Sequence, residues 1–176
     1  MAEETKEKWL QWVALTTTIL AVCAAISSLK SSSYSTRVQI QTTKEANNWA
    51  YYQSKSIKEH NFNLNRDILS AIRLSEAKNP RLQKYLSAKI KDYSDEIARY
   101  DKEKEQIKSE ADKINQEQEI FKLHNTNFAL AVMILQIAIM LSAVAALIKK
   151  KILWYAGMVL GTLGCFYMMN GFLLWL

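Results

Sequence analysis

The sequence predicts an all-α membrane protein: three transmembrane helices, with a long antiparallel helical hairpin, a coiled coil, inserted between the first and the second. Three observations carry this. Three long stretches contain no charged residue. Turn-forming residues are nearly missing, with one proline and four glycines in 176 residues, the first glycine at Gly157. The proline divides the charged middle of the chain into almost equal arms. Sandwiches, barrels and doubly wound sheets need Gly, Pro, Asn or Asp at frequent turns, and the first three quarters of this chain lack that punctuation. The mean hydropathy of −0.13 therefore averages two opposite populations rather than describing an ordinary soluble core.

The first element is a short charged segment, residues 1–8. Residues 9–29 follow as the first membrane helix (WLQWVALTTTILAVCAAISSL). The flank MAEETKEK is too acidic for a secretory n-region, and no clean small-x-small cleavage site follows, so this segment reads as a retained signal anchor. Residues 128–148 and 152–176 form the second and third spans, joined by the basic loop 149–151. Each span reaches the roughly 20 residues that a helix needs to cross a hydrocarbon core of about 30 Å. The two cysteines, Cys23 and Cys165, fall inside apolar segments and read as small packing residues without metal spacing.

Between the first two spans lies the hairpin, residues 30–127, with 18 Lys plus Arg and 14 Asp plus Glu. From Leu82 onward the apolar residues Leu86, Ile90, Tyr93, Ile97, Tyr100, Ile107, Ala111, Ile114 and Phe121 keep alternating four- and three-residue steps. Only Lys104 and Gln118 interrupt them. That is a coiled-coil seam. On the first arm, Trp49, Gln53, Ile57, Leu64, Ile68, Ile72 and Ser75 approximate the opposing stripe, weakened by Asn61, Asn63 and Asn65. Asn79-Pro80 places the turn near 79–80, since Pro disfavours helix before it and opens a helix after it. The arms, residues 30–79 and 80–127, run 50 and 48 residues, each about 70–75 Å as an unbroken helix. In this register Ile68 lies near Ile90, Trp49 near Ala111 and His124 near Ser35. A more compact bundle of four or five helices is the competing architecture.

Lys149, Lys150 and Lys151 set the topology. Basic short loops stay cytoplasmic, so the N-terminus is expected in the cytoplasm and the hairpin in the periplasm. The same lysines, with Lys30 and Arg37, suit anionic lipid headgroups. Gly157, Gly161 and Gly164 on the third span, and Ala138, Ser142 and Ala146 on the second, form small-residue faces for membrane helix packing. Thr16, Thr17, Thr18, Gln136 and Asn170 are uncharged polar residues within the spans, suited to interhelix hydrogen bonds or to a pore lining. Trp49, Tyr51 and Tyr52 cannot share one helix face, so at least one must meet a partner, lipid or water.

Nothing converges chemically. There is no Gly-rich phosphate loop, and His60 and His124 lie far apart in the hairpin register. The carboxylates alternate with Lys and Arg as on a solvated face. The expectation is a non-enzyme with no cofactor, metal or nucleic-acid site. It is expected to contact membrane lipid and to form a homo-oligomer, with another membrane protein as a further candidate partner. A self-associating scaffold leads; an oligomeric channel and an accessory subunit of a larger complex are the alternatives.

Three stretches together carry a family resemblance. They are Lys8-Trp9 through Ser28, the core Trp49-Ala50-Tyr51-Tyr52-Gln53-Ser54-Lys55-Ser56-Ile57-Lys58, and Gln136-Ile137-Ala138-Ile139 through Lys149-Lys150-Lys151 and Trp154-Tyr155. In this order they resemble a bacterial membrane-protein family known as domain of unknown function 4337. The resemblance implies a bacterial inner-membrane protein and brings no activity, cofactor or catalytic residue with it.

Overall fold

The computed structural model describes residues 2–75 and 78–174, with side chains from Lys8 onward. Met1 and the end of the third predicted span, Trp175 and Leu176, lie outside the described residues. Three helices make up the fold: α1 (Ala2–Ser75), α2 (Pro80–Ile148) and α3 (Lys151–Leu173). No strand occurs among the described residues. Each helix holds a segment long and apolar enough to cross a membrane. No helix breaks at Asn61–Asn65; Asn65 donates from Nδ2 to the Asn61 carbonyl at 2.8 Å, a local bond within the running helix.

Pro80 is the first residue of α2, and its missing N–H costs nothing there. Asn79 caps it: Oδ1 accepts from the N–H groups of Arg81 and Leu82, both at 3.2 Å, which satisfies two of the otherwise unpaired amides of the first turn. Gln83 donates from Nε2 to the Arg73 carbonyl at 2.6 Å and so ties the end of α1 to the start of α2. At the other end of α2, Lys149 takes the left-handed conformation (φ 57°) that reverses the chain into α3.

The chain divides into two compact units. One, residues 2–40 and 118–174 of the described chain, is built on apolar burial. Leu20, Ala24, Leu135 and Ala138 form its central cluster, with Cys23, Ile139, Leu160 and Cys165 packed against it. Both cysteines are free thiols in this apolar setting. The other unit is 41–117. Its α2 face matches the expected seam: Leu86, Tyr100, Ile107 and Ala111 are buried.

Its α1 face corrects the expectation. The stripe of α1 that is withdrawn from solvent runs through Gln41, Glu45, Asn48, Tyr52, Lys55, Glu59, Phe62, Arg66, Leu69 and Arg73. These residues are themselves spaced by alternating fours and threes, but they are mostly polar. The stripe expected to pack against α2 is turned outward: Trp49, Ile57, Leu64, Ile68 and Ile72 are all exposed.

Replacing Asn79 with Ala removes the cap of α2 and is expected to cost about 1 kcal/mol. A heat-unfolding midpoint in detergent that matches the parent's would contradict this.

Candidate functional site

In the unit containing 2–40 and 118–174, glycine decides the packing. Gly157, Gly164 and Gly171 are spaced by sevens on α3, and each packs against α2. A Cβ on Gly157 would lie 2.9 Å from Ser142 Oγ and 3.0 Å from the Ala138 carbonyl oxygen. On Gly164 it would lie 2.7 Å from Leu135, and on Gly171 3.1 Å from the Phe128 ring. Ser142, Leu135 and Phe128 are likewise spaced by sevens. Gly161 turns to α1 instead, where a Cβ would come within 2.8 Å of Leu20. The small-residue faces singled out in the sequence thus meet one another inside one chain. Ala138 and Ser142 are fully buried, while Ala146 is half-buried.

The polar residues of the apolar segments are occupied differently. The hydroxyls of Thr16, Thr17 and Thr18 donate to carbonyls three or four residues earlier in their own helix. Thr16 Oγ1 also accepts from Trp154 Nε1 at 3.1 Å. Asn170 is buried and donates from Nδ2 to Asn127 Oδ1 at 3.1 Å. Gln136 is exposed, on a surface shared with Met133, Ile137 and Met140. Lys149, Lys150 and Lys151 are all exposed at the connection.

Near the end of α3 lies a cluster not singled out in the sequence. His124 stacks on Tyr34 with ring centroids 4.6 Å apart, and its Nδ1 lies 2.7 Å from the Gly171 carbonyl oxygen, to which it donates. Phe128 packs edge-on against Phe172. Arg37 lies over the rings of Tyr34 and Phe121, and Lys30 over Phe172. Such cation–ring contacts are worth about 0.5–1 kcal/mol each at exposed sites. The signal available in the sequence was the hairpin register, which puts His124 one residue from the position it takes.

In the 41–117 unit, the polar α1 face meets specific charges. Lys55 pairs with Glu103 at 2.6 Å, and Lys104 pairs with Glu59 and reaches Asp101 at 3.4 Å. Gln41 donates to Glu117 at 2.7 Å. Phe62 fits between Tyr93 and Tyr100. Lys55 and Lys104 are each only 14% exposed, so they must be paired to sit where they do. The hydrogen bond from Lys55 holds the Glu103 carboxyl below its ordinary value, against a burial effect that pushes the other way. The hydrogen bond to Glu59 raises the Lys104 ammonium. Lys104, which interrupts the apolar seam of α2, was the sequence signal for a charged counterpart on α1.

The aromatic triplet separates as its spacing requires. Tyr52 faces α2 beneath Lys104 and meets Trp49 edge-on at 5.7 Å. Trp49 and Tyr51 remain exposed, and Lys55 Nζ lies over the Tyr51 ring. Among the described residues no group of three or more His, Cys, Asp or Glu could hold a metal ion.

These features define an all-helical protein of three long helices, each apolar enough over part of its length to cross a membrane. The chain belongs to the family described as Domain of unknown function (DUF4337), whose model matches residues 9–174. No curated protein and no solved structure matches it.

Two predictions come from this geometry. Gly157→Ala and Gly164→Ala should each lower the unfolding midpoint. The new methyl meets Ser142 Oγ and the Ala138 carbonyl in the first case, and the side chain of fully buried Leu135 in the second. The general cost of such overpacking is about 1–3 kcal/mol, and a midpoint equal to the parent's in a detergent melt would refute the assignment. Glu103→Gln should lower the midpoint at neutral pH. Because the folded carboxyl titrates below its unfolded value, the stability it contributes is present above that unfolded value and lost as pH falls through the folded one. The gap to the parent should therefore begin to close below about pH 4.3. Circular dichroism melts across pH check this, and a constant gap would count against the pair.

Proposed function

We propose that this chain is a multi-pass membrane protein that acts as a non-enzymatic, self-associating scaffold. Three spans anchor an antiparallel coiled-coil hairpin outside the bilayer. The pairings of Gln41 with Glu117, Lys55 with Glu103 and Phe62 with Tyr93 support the antiparallel reading. Their numbers rise on one helix as they fall on the other.

One observation carries the scaffold reading. In the 41–117 unit, Ile57, Leu64 and Ile68 are 56%, 54% and 49% exposed. A row of large apolar side chains in water marks an interaction surface. Gln136 supports the same reading within the bilayer. An amide on a lipid-facing surface gains by a hydrogen bond to another helix, and a second subunit supplies one. The glycine seats are filled within the protomer, so association falls to other surfaces. Exposed Trp49 and Tyr51 favour, as a second reading, an accessory subunit whose partner packs on those rings.

The basic connection at Lys149–Lys151 supports a cytoplasmic N-terminus and a periplasmic hairpin in a bacterial inner membrane. The exposed lysines there meet lipid headgroups.

The particle extracted in mild detergent should have a protein mass that is a multiple of 20.2 kDa. A clean monomer at working concentration overturns the scaffold. A stoichiometric second polypeptide in the particle would favour the accessory-subunit reading instead. Gln136→Leu should shift the multimer toward smaller species without changing helix content, and an unchanged distribution would remove Gln136 from the interface.

A further inference from the structure

The exposed stripe on α1 has a pattern more specific than apolarity. Ala50, Ser54, Ile57, Asn61, Leu64, Ile68 and Ala71 follow one another by alternating fours and threes, and all are exposed. This is a second seam, distinct from the one that faces α2. It spans three heptads with Ser54, Asn61 and Ile68 at one core position and Ala50, Ile57, Leu64 and Ala71 at the other. A heptad seam asks for another helix lying along it at a shallow angle, rather than for a flat surface or a pocket ligand.

We infer that this seam is occupied by the same seam of a second copy, as a parallel, in-register pair of α1 helices about a two-fold axis. The inference rests on the scaffold reading and deepens it by naming the surface and the partner. Three features select this occupant. Ile68 at the first core position with Leu64 at the second suits two parallel strands, Ile57 at the second departs from that pattern, and the lone Asn among core positions fixes register and strand number by pairing with its own copy. Asn61 sits there between Ile57 and Leu64.

The flanking charges agree. In a parallel pair in this register, Gln53 of one copy faces Lys58 of the other, His60 faces Asn65, and Asp67 faces Ile72. No like charges are opposed.

The third feature is anchorage. On the scaffold reading both copies are anchored through their first spans in the same membrane, and a two-fold axis brings each residue of α1 against its own counterpart. The seam is lean, with Ala and Ser at several core positions. Such a seam pairs where copies are already concentrated in the plane of a bilayer, because anchoring makes the second contact effectively intramolecular.

Single cysteines test this in the full chain carrying Cys23→Ala and Cys165→Ala, reconstituted in phosphatidylcholine vesicles and oxidised mildly. Ile57→Cys and Leu64→Cys should give disulfide-linked homodimers in high yield. Ser109→Cys, exposed on α2, should not. Leu64→Asp with Ile68→Asp should reduce the cross-link formed through Ile57→Cys by at least about tenfold with helix content unchanged, since both seam residues are already solvent-exposed and their loss spares the fold.

If the parent particle is multimeric but positions 57 and 64 link no better than 109, the seam is not the interface and the scaffold stands by other surfaces. Linkage at 57 or 64 to a different polypeptide overturns the self-pairing. A monomeric parent particle overturns both.

Discussion

The rotation of α1 about its own axis in the 41–117 unit is set by two crossed ion pairs. Lys55 and Glu59 lie one turn apart on α1, and they meet Glu103 and Lys104 of α2. Each ammonium finds a carboxylate on the facing helix, whereas an isoleucine turned outward leaves no polar atom unpaired. A helix cannot present both of its stripes to one neighbour. With the charges turned inward, Ile57, Leu64 and Ile68 must point out. Tyr52 turns in with the charges, and Trp49 and Tyr51 follow the outward side. Everything that makes the outer surface of α1 available descends from that choice of phase.

The unit containing the apolar segments is organised by shape instead. Gly157, Gly164 and Gly171 receive Ser142, Leu135 and Phe128 at matching seven-residue intervals. A step of seven residues is two turns, so one contact geometry recurs along the helix pair. Several of its polar atoms are settled locally. Threonine hydroxyls return to their own helix, and Ser142 Oγ donates to the Ala138 carbonyl at 2.9 Å. The Asn127–Asn170 bond and His124 on Gly171 close the far end of α3. Packing of this sort needs no charge, and none is present in the buried set.

Much of this was legible in the residues. The helices, the apolar segments and the opening of α2 at Pro80 follow from composition and from the peculiar geometry of proline. The α2 seam was legible because its apolar residues are large and nearly continuous. The phase of α1 was not. Its polar and apolar residues each keep a heptad spacing, so periodicity alone offers two faces and prefers the greasier one. The deciding information lay on the other helix, in a lysine at a core position of α2 that needs an acid opposite. The glycines were recognised as a packing face. Which helix fills which seat is a three-dimensional fact: Gly161 and Gly157 are four residues apart in sequence yet serve α1 and α2 respectively.

The seat that Gly161 offers Leu20, and the bond from Trp154 to Thr16 across 138 residues of chain, also bear on how the molecule is made. A ribosome emits α1 first and α3 last. Until the final helix arrives, the first has no glycine to close upon and its threonine has no indole to bond. The apolar unit is therefore finished from its C-terminal end, and the interval between those two events is nearly the whole time of synthesis. A chain stalled before Lys151 would hold α1 and α2 without the helix that packs against both.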